Sequence, residues 1–200
     1  MTEGVIKYSI EHQYADAPFF SGYEELEGLR RRLFALGLIG EKNGIGYGNL
    51  SMRDDDTDTF FITATQTGKM AALSPDYYTF VSAYDFSTFK VNSQGKYEPS
   101  SEALSHAMIY ATDERIKAVI HVHSPVLWKF MKSKGYLSTA AEYGTAEMVE
   151  EIATLYDTLE PLINNAFVMR GHEEGIITFG KDIEEAELVL YTILKAYLEK

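Results

Sequence analysis

The sequence predicts a mixed α/β or α+β fold, a sheet covered by helices, and three observations lead there. Its 200 residues are 46% apolar by a broad count, enough to bury one sizeable core. Aromatic and β-branched runs of strand length recur along it, separated by segments with apolar residues at helical spacing. The two kinds of segment mix without a strict strand–helix–strand alternation. No internal repeat, low-complexity tract or linker interrupts the chain, so one domain over residues 1–200 is expected.

Ser21 and Glu24 match a capping box, and Leu26, Leu29, Leu33 and Leu36 follow at helical spacing, with a stop expected near Gly37 or Gly40. The glycine-rich segment Gly44–Ser51 should lead into short strands. Asp54–Asp58 reads as a solvated turn, since it lacks the ligand spacing and closing Glu of an EF-hand. Phe60–Thr65 is a strand pattern, continued by Tyr77–Val81 and Phe86–Val91, with a turn expected at Asn92–Gly95. A helix should begin near Ser101, followed by a strand from about Lys117 to His123. Pro125 suits the first turn of another helix. A longer helix is expected from Thr145 to Leu159, before Pro161, then strands at Ala166–Arg170 and Gly175–Phe179. The closing amphipathic helix, Asp182 to Lys200, should turn Ile183, Ala186, Leu190, Ile193, Leu194 and Tyr197 to the core.

A net charge of −12 disfavours nucleic acid and anionic membrane surfaces as partners. A small anion is still acceptable where backbone N–H groups and helix N-termini supply the site. Cysteine is absent, which excludes disulfides and thiolate chemistry and restricts any metal to nitrogen and oxygen ligands. No run approaches the roughly 18 apolar residues of a spanning helix, and a cytoplasmic protein is the economical expectation.

Ala118-Val-Ile-His-Val-His-Ser124 carries the strongest chemical signal. A strand's side chains repeat every second residue, so His121 and His123 leave one face while Ile120 and Val122 leave the other. Two converging imidazoles suit a divalent metal, and equally an ordinary pair of strand histidines. His172, just after a strand pattern, is a candidate third imidazole. His106, four residues after Glu102 on one helix face, is a rival ligand or a supporting partner. His12 has no such context and reads as a surface residue. Pro99-Ser-Ser-Glu102 opens a helix, presenting free N–H groups and two hydroxyls that suit a phosphate as well as plain N-capping. Gly48–Ser51 and Thr67-Gly68 are turns of small polar residues that match no nucleotide motif. The continuation His123-Ser124-Pro125 differs from that of cupins and metallo-β-lactamases, and carbonic anhydrases share the paired histidines and a third but nothing else.

Taken in order, Gly48-Asn49-Leu50-Ser51, Ile62-Thr63…Thr67-Gly68, Pro99-Ser100-Ser101-Glu102…His106, His121-Val122-His123-Ser124, Tyr143-Gly144-Thr145 and Gly171-His172…Gly175 resemble the class II aldolase/adducin family. The resemblance spans about residues 25 to 195. It implies a three-layer α/β/α fold with a mainly antiparallel central sheet, in a homotetramer with active sites at subunit interfaces. It further implies zinc held by His121, His123 and His172, with manganese, cobalt, nickel or iron as substitutes. The catalytic glutamate falls on Glu102, and the substrate-phosphate pocket on Asn49, Thr67, Gly68, Ser100 and Ser101.

The implied activity is cleavage of a ketose 1-phosphate to dihydroxyacetone phosphate and an aldehyde through an enediolate, the metal acting as Lewis acid. Related 4-epimerases usually carry Asp where Glu102 stands, which favours cleavage or dehydration. A dehydratase-type lyase resembling methylthioribulose-1-phosphate dehydratase, and a non-catalytic adducin-type interaction module, are the alternatives. Two departures stand out. Glu173-Glu174 replace the glycine that usually follows the third histidine, and the passage from Ser124 to Tyr143 is shorter than in the family's sugar-phosphate aldolases. Their tyrosine acid lies in that passage, leaving Tyr136, Tyr143, Tyr191 and Tyr197 unranked here.

Overall fold

The computed structural model describes residues 5–54, 57–157 and 165–200. Its elements are β1 (Ser9–Tyr14), α1 (Tyr23–Ala35), β2 (Gly40–Lys42), β3 (Ile45–Tyr47), β4 (Asn49–Arg53), β5 (Phe60–Thr63), β6 (Tyr78–Asp85), β7 (Lys90–Gly95), α2 (Ala103–Thr112), β8 (Ala118–His123), α3 (Pro125–Ser133), β9 (Ser138–Thr139), α4 (Ala146–Asp157), β10 (Ala166–Met169), β11 (Gly175–Gly180) and α5 (Ile183–Leu198). The main sheet runs β1-β7-β6-β5-β4-β8-β11-β10-β9. Among the described residues only β1 with β7 and β10 with β9 pair in parallel, so the sheet is mainly antiparallel. β2 and β3 form a separate hairpin.

Helices cover both faces, giving three layers. On one face Leu26, Leu29 and Leu33 of α1, Leu127 and Met131 of α3, and Ile183, Leu190 and Ile193 of α5 pack on Leu50, Ile120, Val122 and Ile176. On the other, Leu104, Ala107 and Ile109 of α2 and Met148 and Ile152 of α4 pack on Phe60, Ile62, Val119 and Ile177. Each such side chain, taken fully out of water, contributes roughly 1.5–3 kcal/mol. β8 is buried on both faces and runs between β4 and β11, which fixes its register from both sides. No helix among the described residues is long and apolar enough to cross a membrane.

Several local expectations are corrected. Helix α1 begins at Tyr23 with Gly22 as N-cap and no side-chain cap, so Ser21 and Glu24 form no capping box. Gly22 is packed against Met52 and Phe20, where a Cβ would meet Met52 Sδ at 2.4 Å, so a capping side chain there would require Met52 to shift. The β6–β7 turn lies at residues 85–89 and not at Asn92–Gly95. Asp85 carboxylate oxygens accept from the Ser87 and Thr88 amides and hydroxyls, building the turn locally, and Asn92–Gly95 then pair with β6 and β1. Strand β1 has no counterpart in the sequence reading. Thr158 and Leu159 of the expected long helix, Pro161 beyond it, and Asp55 and Asp56 of the acidic turn lie outside the described residues.

Candidate metal centre and its cleft

His121 and His123 stand at the end of β8, on the face away from Ile120 and Val122, as the two-residue period requires. Across the ladders, Asn49 of β4 pairs with His121 and Gly175 of β11 pairs with His123. His172 reaches them from the turn between β10 and β11. A side chain at Gly175 would press on the His172 ring at 2.7 Å and the His121 ring at 3.1 Å, so the missing Cβ makes room for both imidazoles. Gly171 is equally constrained, because a Cβ there would collide with the carbonyl oxygens of Ala140 and Ala141. Gly171→Ala is expected to destabilise the chain by about 1–3 kcal/mol, the cost of overpacking, and to displace His172. Thermal melts of the metal-free variant read the first effect, and metal titration the second.

The three imidazoles form a compact group. His123 Nε2 lies 3.1 Å from His121 Nε2 and 2.9 Å from His172 Nε2. Their ligand atoms all lie within 4.8 Å of one another, a spacing that could hold a metal ion. His121 Nδ1 lies 3.2 Å from the Ile176 carbonyl oxygen, which places its proton there and leaves the Nε2 lone pair facing the group. Burial keeps His172 neutral, pushed down to about 4, and holds His123 lower still, with repulsion from His121 and His172 acting in the same sense. Three converging imidazole nitrogens match the chemistry of a borderline divalent cation.

Glu102, the N-cap of α2, comes within 3.1 Å of His121 Nε2 through Oε2, which also accepts from Asn49 Nδ2 at 2.7 Å. Burial works to raise its carboxyl, but attraction to His121 and His172 and the Asn49 bond outweigh it, leaving the group below the ordinary carboxylate range. Glu102 Oε1 and Asn49 Oδ1 are buried without a hydrogen-bond partner among the described residues. Two unanswered acceptors beside the imidazoles are a second feature that suits a bound cation or a substrate hydroxyl.

All nine residues singled out from the sequence line one cleft of about 370 Å³: Asn49, Thr67, Gly68, Ser100, Ser101, Glu102, His121, His123 and His172. Thr67 and Gly68 lie on a 3₁₀ turn, Thr67–Lys69, entered through Gln66 at φ 61°. The Thr67 hydroxyl donates to the Ala64 carbonyl, and Ser100 Oγ accepts from the Glu102 amide, so both side chains also brace their own turns. A second cavity shares His123, Tyr143 and His172 with the first and is lined by Lys42, Asn43, Ile45, Glu173 and Glu174. Glu174, at φ 72°, accepts from Lys42 Nζ at 2.8 Å, which directs that carboxylate to the β2–β3 hairpin.

Of the four candidate tyrosines, Tyr143 is at the cleft, its ring 4.7 Å from that of His172. Tyr136 and Tyr197 pack beside the α1–α3–α5 core, and Tyr191 donates to Glu187. His106 does not join the imidazole group. It is fully buried, with Nδ1 2.7 Å from Ser51 Oγ, and burial holds it down to about 3. The unfolded chain takes up this proton near the ordinary pKa while the folded chain refuses it. Stability from this group is therefore full above about pH 6.5 and is lost as pH falls towards 3. Melts between about pH 4.5 and 7.5 should slope less steeply for His106→Gln than for the parent chain, and equal slopes would remove His106 from the acid response.

Other contributors carry no sequence signal. The Tyr47 ring stacks on His123 at 5.1 Å between centroids. Arg30, 1% exposed, donates from Nη2 to the carbonyls of Thr67 and Met70, while Glu27 accepts from the Leu73 amide and the Tyr78 hydroxyl. This buried pair bolts α1 beneath the turn that carries Thr67 and Gly68. His12, by contrast, bonds Ser93 and Gly95 across the β1–β7 edge, far from the cleft in function and consistent with a half-exposed sheet residue.

Comparison with known proteins agrees with this architecture. The chain is 30% identical over 151 residues to the L-fuculose phosphate aldolase of Methanococcus maripaludis, covering 70% of this chain and 76% of the relative. In fold it is similar to an L-fuculose 1-phosphate aldolase, with a TM-score of 0.66 at 20% identity over 91% of this chain and 87% of the other. It is similar also to a sugar-phosphate aldolase from Thermotoga maritima, with a TM-score of 0.63 at 20% identity over 86% and 89% of the two chains. Residues 29–197 match the Class II Aldolase and Adducin N-terminal domain, and the chain belongs to that family.

Proposed function

We propose that the chain is a metal-dependent aldolase that cleaves a ketose 1-phosphate to dihydroxyacetone phosphate and an aldehyde. The observation that carries this reading is the meeting, in one cleft, of three converging imidazoles, a buried carboxylate and two small-residue turns. His121, His123 and His172 would hold the cation, zinc being the first choice for three imidazoles. When bound, it would polarise the substrate carbonyl and the neighbouring hydroxyl as a Lewis acid.

The protein's own groups divide the remaining work. Thr67, Gly68, Ser100, Ser101 and Asn49 receive the phosphate, helped by the positive end of α2. That grip converts binding into orientation, holding the reacting carbons between the imidazoles and Glu102. Glu102 moves the proton on the carbon that parts from the aldehyde, returning it there in cleavage and removing it in condensation. Tyr143, at the junction of the two cavities, is placed to take the hydroxyl proton on the departing side. The second cavity would then receive the aldehyde half. The same reading includes one domain over the chain, a cytoplasmic site of action and a homotetramer with active sites between subunits. The sheet joining β1 to β9 supports the first of these.

Two measurements test the reading. Metal analysis after purification without chelators should find about one divalent ion per chain. A coupled assay for triose phosphate across pentulose and hexulose 1-phosphates should show turnover that chelation abolishes and metal restores. A dehydrated product without triose phosphate would assign the site to a dehydratase, and a folded, metal-free, inactive chain to an interaction module.

A further inference from the structure

We propose that the N-terminal arm, residues 5–14, is a positioning element of the site, with Tyr8 setting the Ser100 turn and Lys7 setting Tyr143. The inference rests on the functional reading above. The arm lies ahead of residues 29–197, the part that matches the family. It is fixed by the parallel ladder of β1 with β7 and by Ile6, Tyr8 and Ile10 packing into the α2–α4 core.

Two adjacent residues of this arm reach two segments that line the cleft. Tyr8 is 5% exposed, and its hydroxyl donates to the Ser100 carbonyl at 2.8 Å. That same carbonyl accepts from the Ala103 amide at 3.0 Å, so the bond pins the turn that carries Ser100, Ser101 and Glu102 into α2. Lys7 Nζ donates to the Tyr143 carbonyl at 2.9 Å, pairs with Glu142 at 2.9 Å and sits 4.1 Å from the centre of the Tyr143 ring. Tyr143 in turn lies against His172.

The two pinned segments meet one another. A Cβ on Gly144, which adopts φ 65°, would stand 3.1 Å from the Ser101 carbonyl. The arm therefore brackets the seam between the phosphate end of the cleft and its tyrosine. Packing alone does not call for these groups. A buried hydroxyl and a half-buried ammonium lose hydration, and phenylalanine and methionine would fill the same space.

The test uses the full chain loaded with metal. Tyr8→Phe keeps the ring and deletes the donor, while Lys7→Met keeps the stem and deletes the charge. Tyr8→Phe should weaken inorganic phosphate, measured by calorimetry, about fivefold and raise KM for the ketose 1-phosphate alike, with a smaller change in kcat. Lys7→Met should leave phosphate affinity intact and lower kcat about fivefold, and Lys7→Arg should restore it. Variants that match the parent in both parameters would overturn the proposal. So would variants that lose both parameters equally together with melting temperature, since that pattern is simple destabilisation. If the variants show either pattern while the parent is active, only the arm's role fails. If the loaded parent binds no phosphate and cleaves no ketose 1-phosphate, the functional reading fails and takes the arm's role with it.

Discussion

Glu102→Gln is expected to lower kcat by about 10²–10⁴-fold, the usual contribution of a positioned proton-transfer group. The substitution is nearly isosteric, and the site can accept it. One carboxylate oxygen, Oε2, accepts from Asn49 Nδ2 at 2.7 Å and lies 3.1 Å from His121 Nε2, and the glutamine oxygen can take its place with the amide nitrogen where Oε1 now stands. The turns proposed to receive the phosphate stay as they are, so KM should change far less than kcat. Metal content should stay near that of the parent, since three imidazoles remain. Turnover unchanged by the substitution would remove Glu102 from the proton step. Loss of metal alongside activity would make it a ligand instead.

How much of this site was legible depends on the range over which each residue acts. His121 and His123 could be placed on one face because a strand's period acts over two residues. Glu102 could be placed at a helix start because capping acts within one turn, although the helix proper begins at Ala103. The ordered family motifs supplied His172, which no local pattern ties to a strand 49 residues earlier.

Contacts made across layers left no such trace. Lys7 and Tyr8 reach the lining of the cleft from the N-terminal arm, Arg30 from α1 and Tyr47 from β3, and none repeats with a period or sits in a motif. The misplaced β6–β7 turn has a similar cause. Asn92-Ser-Gln-Gly95 has turn composition, but Asp85 caps its own following backbone, and pairing on both sides holds the later segment extended.

His123→Ala is expected to abolish stable metal retention and to lower kcat/KM by at least about 10³-fold, because the reaction then lacks its Lewis acid. His123 is the informative choice because its Nε2 is the shared neighbour of the other two, 3.1 Å from His121 and 2.9 Å from His172. Without it the remaining pair cannot enclose a tetrahedral ion from three sides. Thermal melts isolate this from the cavity that alanine leaves, which lowers melting temperature with or without metal. The parent chain should gain about 4 kcal/mol when metal is added at about a thousand times its dissociation constant, and lose it again with chelator. The variant should show no such gain at the same concentration. A variant that still binds one equivalent and gains the same stability would show that His123 is not a ligand. The cation would then be held elsewhere, and the proposed chemistry with it.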